Sequence, residues 1–189
     1  MHSSQEYYRK ISGLKNGPWL FQYWEVRKTI NVFEKLINKK IVSWRDHGYR
    51  NDRNTINILR LNNIKNFSDT LSKDGLQPQW INYDILDVPI NTLPDHDYVF
   101  HGSRQPDTIK VDALMKTHFA TPPITKEKWL NRIKKEVSKM EKENKISTIL
   151  AHPACMEVFD DFETFKKLCK FLKQYKTLKM KNISKIVNR

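Results

Sequence analysis

Apolar residues recur at every third or fourth position between residues 19 and 38, and this spacing predicts a long helix with one buried face. The apolar positions of this helix are Leu20, Trp24, Ile30, Phe33 and Ile37. An apolar run at 40–44 follows and predicts a buried strand. The polar loop after it ends at Asp52, a favourable N-cap, and the pattern then predicts a helix at 53–62 and a strand at 64–67. This alternation with short connections is typical of a parallel α/β unit.

The middle of the chain, about 69–125, does not continue the alternation. Prolines interrupt it at positions 78, 89, 94, 106, 122 and 123. Only short strands are predicted there, at 83–89 and 97–101. The alternation then returns, with a helix at 126–143, a strand at 146–150 and a helix at 161–175.

Length and composition predict one globular unit. A chain of 189 residues can bury a substantial core, and no Gly-, Pro- or Ser-rich linker divides it, so we expect residues 1–189 to form a single domain. A hydrophobic fraction of 39% argues against disorder, and no apolar run approaches the roughly 20 residues of a membrane span. The N-terminal sequence has no apolar segment of a signal peptide, so a cytoplasmic location is expected.

The formal net charge of +13 is concentrated in two segments, 126–145 and 166–189. Both alternate basic and apolar residues at helical spacing, which is typical of solvated helix faces. The sequence contains no signature of a helix-turn-helix, a zinc finger or another element that reads nucleic acid, so nucleic-acid binding is not expected.

Two polar clusters follow predicted strands. They are SWRDHGYRND after the strand at 40–44 and AHP after the strand at 146–150. Because ligands and catalytic groups collect at the carboxyl ends of parallel strands, Arg45 and His152 are predicted to lie at one end of the sheet as candidate functional groups. The structural alternatives are a salt bridge at the rim for Arg45 and a solvated histidine at a strand end for His152.

Three segments resemble the NodB-like polysaccharide deacetylases, carbohydrate esterase family four. The family segment in which a strand delivers an Arg, a Gly and aromatic residues is similar to KIVSWRDHGYRNDRNTINILRLNNIKNFSD. The family's last motif, Leu-x-His before a helix, resembles STILAHPACMEVFDDFETFKKLCKFL, and the stretch between them is similar to LDVPINTLPDHDYVFHG. The resemblance extends over about residues 2–180.

The resemblance implies a deformed or incomplete (β/α) barrel that hydrolyses the N-acetyl group of an amino-sugar polymer, with an acetylated carbohydrate as substrate. In the family a bound metal polarises the acetyl carbonyl, an Asp is the general base, and a His is the general acid. By motif position His152 would be that acid, and Arg45 would hold the base carboxylate. Leu150, Gly48 and Tyr49 would contact the substrate.

The metal site implied by the resemblance falls near the N-terminus. The family motif of two His residues four apart corresponds to His2, with Glu6 in place of the second His. Glu can also ligate zinc. The resemblance therefore implies a divalent metal ion, zinc, that this chain binds weakly or not at all. The Asp and Trp of the fourth motif have several candidates in this chain, namely Asp84, Asp87, Asp95 and Trp80.

The family's first motif, a strand ending in paired Asp residues, has no counterpart in this sequence. The favoured interpretation is an N-terminally truncated fragment, which a separate N-terminal chain could complement and which is inactive alone because it lacks the general base. A second interpretation is a degenerate module that keeps the scaffold without the chemistry. A third, of another class, is a basic α/β module that binds an anionic polymer through 126–145 and 166–189.

Overall fold

The computed structural model describes residues 11, 13, 16–72, 74–81, 84–95 and 124–188, and the strand expected at 97–101 lies outside them. The chain forms two compact units. Unit 1 contains the described residues of Met1–Thr70, Gln79–Val88 and Lys179–Arg189, and unit 2 contains those of Leu71–Pro78 and Pro89–Leu178.

Unit 1 combines helices with a mixed sheet. Its described elements are α1 (Trp19–Ile37), β1 (Ser43–Trp44), a 3-10 turn (His47–Tyr49), α2 (Arg53–Leu61), β2 (Asn66–Phe67), β3 (Gln79–Ile81), β4 (Ile85–Asp87) and a short C-terminal helix (Met180–Ile183). The strand order is β1-β2-β4-β3. Strands β1, β2 and β4 are parallel neighbours, and β3 pairs with β4 antiparallel.

One face of the sheet packs into the core of unit 1. Trp44, Phe67 and Asp87 are register neighbours on β1, β2 and β4, so their side chains leave the sheet on the same side. Helices α1 and α2 contact each other and contribute to this core. The core consists of Val26, Ile30, Ile58, Leu59, Ile64, Phe67 and Ile85.

Helix α1 has the predicted bounds to within one residue, but the predicted buried stripe is wrong. Of its apolar positions Ile30 is buried, whereas Leu20, Trp24, Phe33 and Ile37 are exposed. The buried face instead runs through Gln22, Val26 and Ile30 at a spacing of four. Gln22 can be buried because its amide donates hydrogen bonds to a loop carbonyl at 2.8 Å and to a carboxylate at 3.0 Å.

Helix α2 confirms the predicted helix at 53–62, including its N-cap. The Asp52 carboxylate accepts hydrogen bonds from the backbone N–H groups of Asn54 and Thr55. The Thr55 hydroxyl in turn accepts from the Asp52 backbone N–H, which completes a capping box. The start of this helix is therefore defined by local sequence.

Unit 2 contains three described helices, α3 (Lys126–Lys142), α4 (Pro153–Asp160) and α5 (Glu163–Leu172). The predicted helix at 126–143 is confirmed by α3, which buries Trp129, Leu130, Ile133, Val137 and Met140. The predicted helix at 161–175 is confirmed by the shorter α5, whereas α4 was not predicted, and the chain breaks between the two at Asp161 and Phe162. Both residues adopt positive φ values, 50° and 65°, which end α4 and redirect the chain into α5.

The strand predicted at 146–150 is not formed, and all five of these residues are described. Side chains of neighbouring segments bind its backbone instead of a partner strand. The Asn91 amide accepts from Thr148 N at 2.8 Å and donates to Ile146 O at 2.9 Å. Gln77 accepts from Ile146 N at 2.7 Å, and the Thr92 hydroxyl donates to Thr148 O at 2.9 Å. A hydrophobicity pattern cannot distinguish this arrangement from a strand.

The fold of unit 1 is mixed α/β. The strands predicted at 40–44 and 64–67 are parallel neighbours, although they are only two residues long. Within the described residues the sheet is open, with β1 and β3 at its edges, and the barrel implied by the resemblance remains a prediction. None of the helices in the described ranges is long and apolar enough to cross a membrane.

Candidate functional site

The clearest candidate for proton chemistry is a histidine–carboxylate pair in unit 2. His152 is the N-cap residue of α4, and Pro153 opens the helix. The His152 Nδ1 atom lies 2.7 Å from Asp95 Oδ1. Asp95 Oδ2 accepts the backbone N–H of His152, also at 2.7 Å. One carboxylate therefore fixes both the backbone and the ring of the same residue.

The two ring nitrogens of His152 have different surroundings. The Asp95 side chain is fully buried, whereas 35% of the His152 side chain is exposed. An ionised carboxylate only accepts hydrogen bonds, so with Asp95 ionised the Nδ1 atom is the donor of this contact. In that tautomer Nε2 is the ring nitrogen opposite the Asp95 contact.

Asp95 owes its position to hydrogen bonds between the buried segment 91–95 and helix α3. The Trp129 indole donates to Leu93 O at 2.9 Å. Leu93 N donates to Glu136 Oε2 at 3.0 Å, and Glu136 also pairs with Arg132 at 2.7 Å. The backbone two residues before Asp95 is therefore anchored to helix α3, which favours a preorganised site.

Arg45 lies at the end of β1, but its described contacts differ from the expected one. Its Nε atom donates to Ser68 O at 2.8 Å, and its Nη2 atom donates to Ser68 Oγ at 2.6 Å. The charge of Asp69 acts on its guanidinium, although no carboxylate of the described residues lies at salt-bridge distance from it. Arg45 therefore joins the end of β1 to the end of β2 through Ser68, and this contact is neither the rim salt bridge of the structural alternative nor a hydrogen-bonded clamp on a carboxylate.

Two aspartates beside Arg45 form a pair that the sequence interpretation did not single out. Asp69 Oδ1 accepts the backbone N–H of Asp46 at 2.9 Å, and Asp69 Oδ2 accepts from Asn51 Nδ2 at 3.3 Å. Asp46 Oδ1 accepts from the Trp44 indole at 2.8 Å. Both aspartates directly follow strand ends in the sequence, one residue after Arg45 and Ser68, and that position could have identified them.

Burial and mutual repulsion perturb this pair. Burial, reinforced by the charge of Asp46, raises the pKa of Asp69 to about 8. Burial also raises the pKa of Asp46. Ionising both carboxyl groups would place two like charges together in a poorly solvated site.

The candidates for the fourth motif have different surroundings. Asp87 accepts from the Thr70 hydroxyl at 2.7 Å, and burial raises its pKa. Asp84 pairs with Arg60 at 2.8 Å near the surface. The Trp80 indole donates to the carbonyl of Val187 at 3.2 Å. Asp95 is the candidate that bonds to His152.

The remaining predicted site residues fall in three places. Gly48 and Tyr49 belong to the 3-10 turn after Arg45, with positive φ values of 65° and 56°. The structure thus groups them with Arg45 in unit 1. Leu150 is buried in unit 2, two residues before His152. The strand predicted before His152 is not formed, and the proximity of Arg45 and His152 stays a prediction.

The metal ligands implied by the resemblance, His2 and Glu6, lie outside the described residues. Within the described ranges, no group of three His, Cys, Asp or Glu side chains is arranged to hold a metal ion. The zinc implied by the resemblance therefore stays a prediction, and the chemistry considered below is that of the described side chains.

The basic helices α3 and α5 pack against each other in unit 2. A surface cavity of about 400 Å³ lies along them, lined by both cationic and anionic side chains. Two carboxylates of this lining are paired: Asp160 with Lys126 at 3.1 Å, and Glu163 with Lys166 at 2.8 Å. Other lysines on these helices, such as Lys135 and Lys170, are exposed to solvent.

Comparison of the chain with protein-family models, with curated proteins and with solved structures gave no match.

Proposed function

We propose that this chain is a polysaccharide deacetylase-like module in which His152 transfers the proton during hydrolysis of the N-acetyl group of an amino-sugar polymer. The observation that carries the proposal is the pair of 2.7 Å hydrogen bonds between Asp95 and His152. It supplies an oriented, partly exposed imidazole on a residue that the Leu-x-His resemblance also selects.

The pair suits the difficult step of amide hydrolysis. The leaving amine must gain a proton as the C–N bond breaks, and a positioned imidazolium supplies it. In this site Nδ1 stays bonded to Asp95, so the transferred proton comes from Nε2. The buried carboxylate stabilises the imidazolium before transfer and keeps the ring in one orientation.

The contacts of Asp95 also favour it as the aspartate of the fourth motif. Asp84 forms an ion pair with Arg60 near the surface, and Asp87 accepts a hydrogen bond from the Thr70 hydroxyl. Asp95 instead contacts the proposed acid, His152. A buried Leu150 two residues before His152 is consistent with an apolar contact for the acetyl methyl group. Neither argument depends on a metal ion.

Ligand binding and hydrolysis are tested together on the purified 189-residue chain. Chitin oligosaccharides at millimolar concentration should shift the ring ¹⁵N signals of His152 and the methyl signals of Leu150. Released acetate should be low with and without added zinc, because the sequence has no counterpart of the family motif that supplies the general base. Any acetate release that occurs should be lost in His152→Ala.

The matched control is Glu157→Gln, which changes an exposed side chain on the same helix as His152. It should leave oligosaccharide binding unchanged, while Asp95→Asn should weaken the response of the His152 ring. If oligosaccharides shift no signal of unit 2 and no acetate is released, the deacetylase proposal is wrong.

A second candidate function is binding of an anionic polymer through α3 and α5. The observation that favours it is the packing of these two lysine-rich helices side by side, with lysines such as Lys135 and Lys170 exposed. Binding of heparin or polyphosphate should then weaken steeply with salt, because each neutralised anionic group releases counterions. Lys135→Gln with Lys170→Gln should weaken binding several-fold, whereas His152→Ala should not change it.

A further inference from the structure

The Asp69 carboxylate contacts both ends of the 46–51 segment that follows β1. One oxygen accepts the backbone N–H of Asp46 at 2.9 Å, and the other accepts from the Asn51 side chain at 3.3 Å. Gly48 and Tyr49, with their left-handed backbone conformations, lie between these two anchors. Asp69 therefore closes this segment into a loop.

The loop places two carboxyl groups together, and neither forms an ion pair at salt-bridge distance with another described residue. Asp69 is 4% exposed. Arg45 donates its guanidinium hydrogen bonds to Ser68, and its charge also interacts with that of Asp69. Asp52 adds a further negative charge beside Asp46.

One atom of the pair is also left without a conventional partner. Asp46 Oδ2 is buried and accepts no hydrogen bond from the described residues. Asp46 and Asp69 interact through their carboxyl groups, and a contact between two carboxyl groups is a hydrogen bond only when one of them carries a proton. A shared proton would satisfy the pair and remove one of its charges.

We propose that Asp46 and Asp69 share one proton, and that this proton keeps the 45–51 loop closed and holds Arg45 and Tyr49 in place. Loss of the proton leaves two adjacent buried carboxylates, and their repulsion opposes the contact that anchors Asp46 to Asp69. The other charged or titratable groups that act on the pair are Arg45 and Asp52, with the Tyr49 phenol beside Arg45. The device lies wholly within unit 1 and does not depend on the deacetylase proposal.

The perturbed pKa of Asp69, about 8, sets the range in which the loop should respond. Below that range the shared proton is present and the loop is closed. As the pH rises through it, the loop amides should change together with the carboxyl group. The transition thus falls in a pH range where ordinary Asp residues, with pKa values near 4, are already ionised.

The test is a ¹³C NMR titration of the Asp carboxyl carbons in the full chain from pH 4 to 10, recorded with the backbone amides of Gly48 and Asn51. We expect one carboxyl carbon of the pair and both amides to titrate with a common midpoint near 8. Asp69→Asn should remove the alkaline transition, because an amide cannot ionise. In Asp46→Asn the midpoint of Asp69 should fall by about one unit or more, since the neighbouring charge is gone.

The matched control is Asp84→Asn, which changes a half-exposed carboxylate of the same unit and should leave the transition intact. If both Asp46 and Asp69 titrate below pH 5, no proton is shared and the proposal is wrong. It is equally wrong if the carboxyl group titrates near pH 8 while the loop amides stay unchanged. The wild-type titration decides both points even if a variant fails to fold.

Discussion

The two units each contain a buried aspartate with two hydrogen bonds from one loop, yet the consequences are opposite. In unit 2, Asp95 faces the imidazole of His152, which can become its counter-ion. In unit 1, Asp69 faces the carboxyl group of Asp46, which can only repel it when both ionise. Burial raises the pKa of Asp69 and the charge of Asp46 adds to that effect, whereas the partner of the buried Asp95 is an imidazole whose orientation the carboxylate fixes.

Removing Asp95 should give the largest effect on stability. Asp95→Ala leaves the backbone N–H and ring Nδ1 of His152 without their acceptor, and the loss should be about 3 kcal/mol of unfolding free energy. Urea denaturation of both proteins measures it. Glu157→Ala, at an exposed position inside α4, should change the value by less than about 0.5 kcal/mol. A loss below about 1 kcal/mol for Asp95→Ala would show that the pair is not structurally coupled.

The like-charge pair should reveal itself in the pH dependence of stability. Asp69 has a folded-state pKa of about 8 against an ordinary value of 3.8, so between these values the folded state retains a proton that the unfolded state has lost. The pair therefore stabilises the fold fully below about pH 4, and this contribution is lost as the pH rises to about 8. The slope is at most about 1.4 kcal/mol per pH unit.

Asp69→Asn should flatten this slope, as measured by urea denaturation at intervals between pH 5 and 9. Asp84→Asn, near the surface of the same unit, should retain it. If the unfolding free energy has the same pH dependence in wild type and in Asp69→Asn, then Asp46 and Asp69 ionise normally. The difference between this pair and the Asp95–His152 pair would then not be electrostatic.

Two tryptophans allow a matched comparison of the segments that support each pair. The fully buried Trp129 bonds to Leu93 O, two residues before Asp95, and the half-buried Trp44 bonds to the Asp46 carboxylate. Trp129→Phe should cost about 2 kcal/mol, because it leaves a buried carbonyl unpaired, and Trp44→Phe about 1 kcal/mol. Thermal unfolding followed by circular dichroism gives both values. A larger loss for Trp44→Phe than for Trp129→Phe would contradict the view that the segment before Asp95 is anchored more firmly than the loop that contains Asp46.

The smallest effect should come from Asn51. Its bond to Asp69 is long, at 3.3 Å, so Asn51→Ala should cost only about 0.5 kcal/mol. It should nevertheless broaden the Gly48 amide signal, because one anchor of the loop is lost. Asn57→Ala on the exposed face of α2 is the control, and it should alter neither the stability nor this signal. A sharp, unshifted Gly48 signal in Asn51→Ala would show that the loop does not need this anchor.

The sequence by itself determined the local features of this protein. The spacing of apolar residues predicted α1, α2 and α3 to within one residue at most ends, and Asp52 was identified as an N-cap, because helix periodicity and capping depend on residues a few positions apart. His152 before Pro153 was likewise recognisable as a candidate functional residue.

Only the tertiary structure decided which side chains meet. Asp95 and His152 are 57 residues apart, and Asp46 and Asp69 are 23 apart, so no local pattern links them. It also replaced the expected strand at 146–150 with a segment bound by side chains, and it buried Gln22 in place of Trp24. The physical reason is that hydrogen-bond partners and burial, which set the pKa of Asp69 and the orientation of His152, are properties of non-local packing.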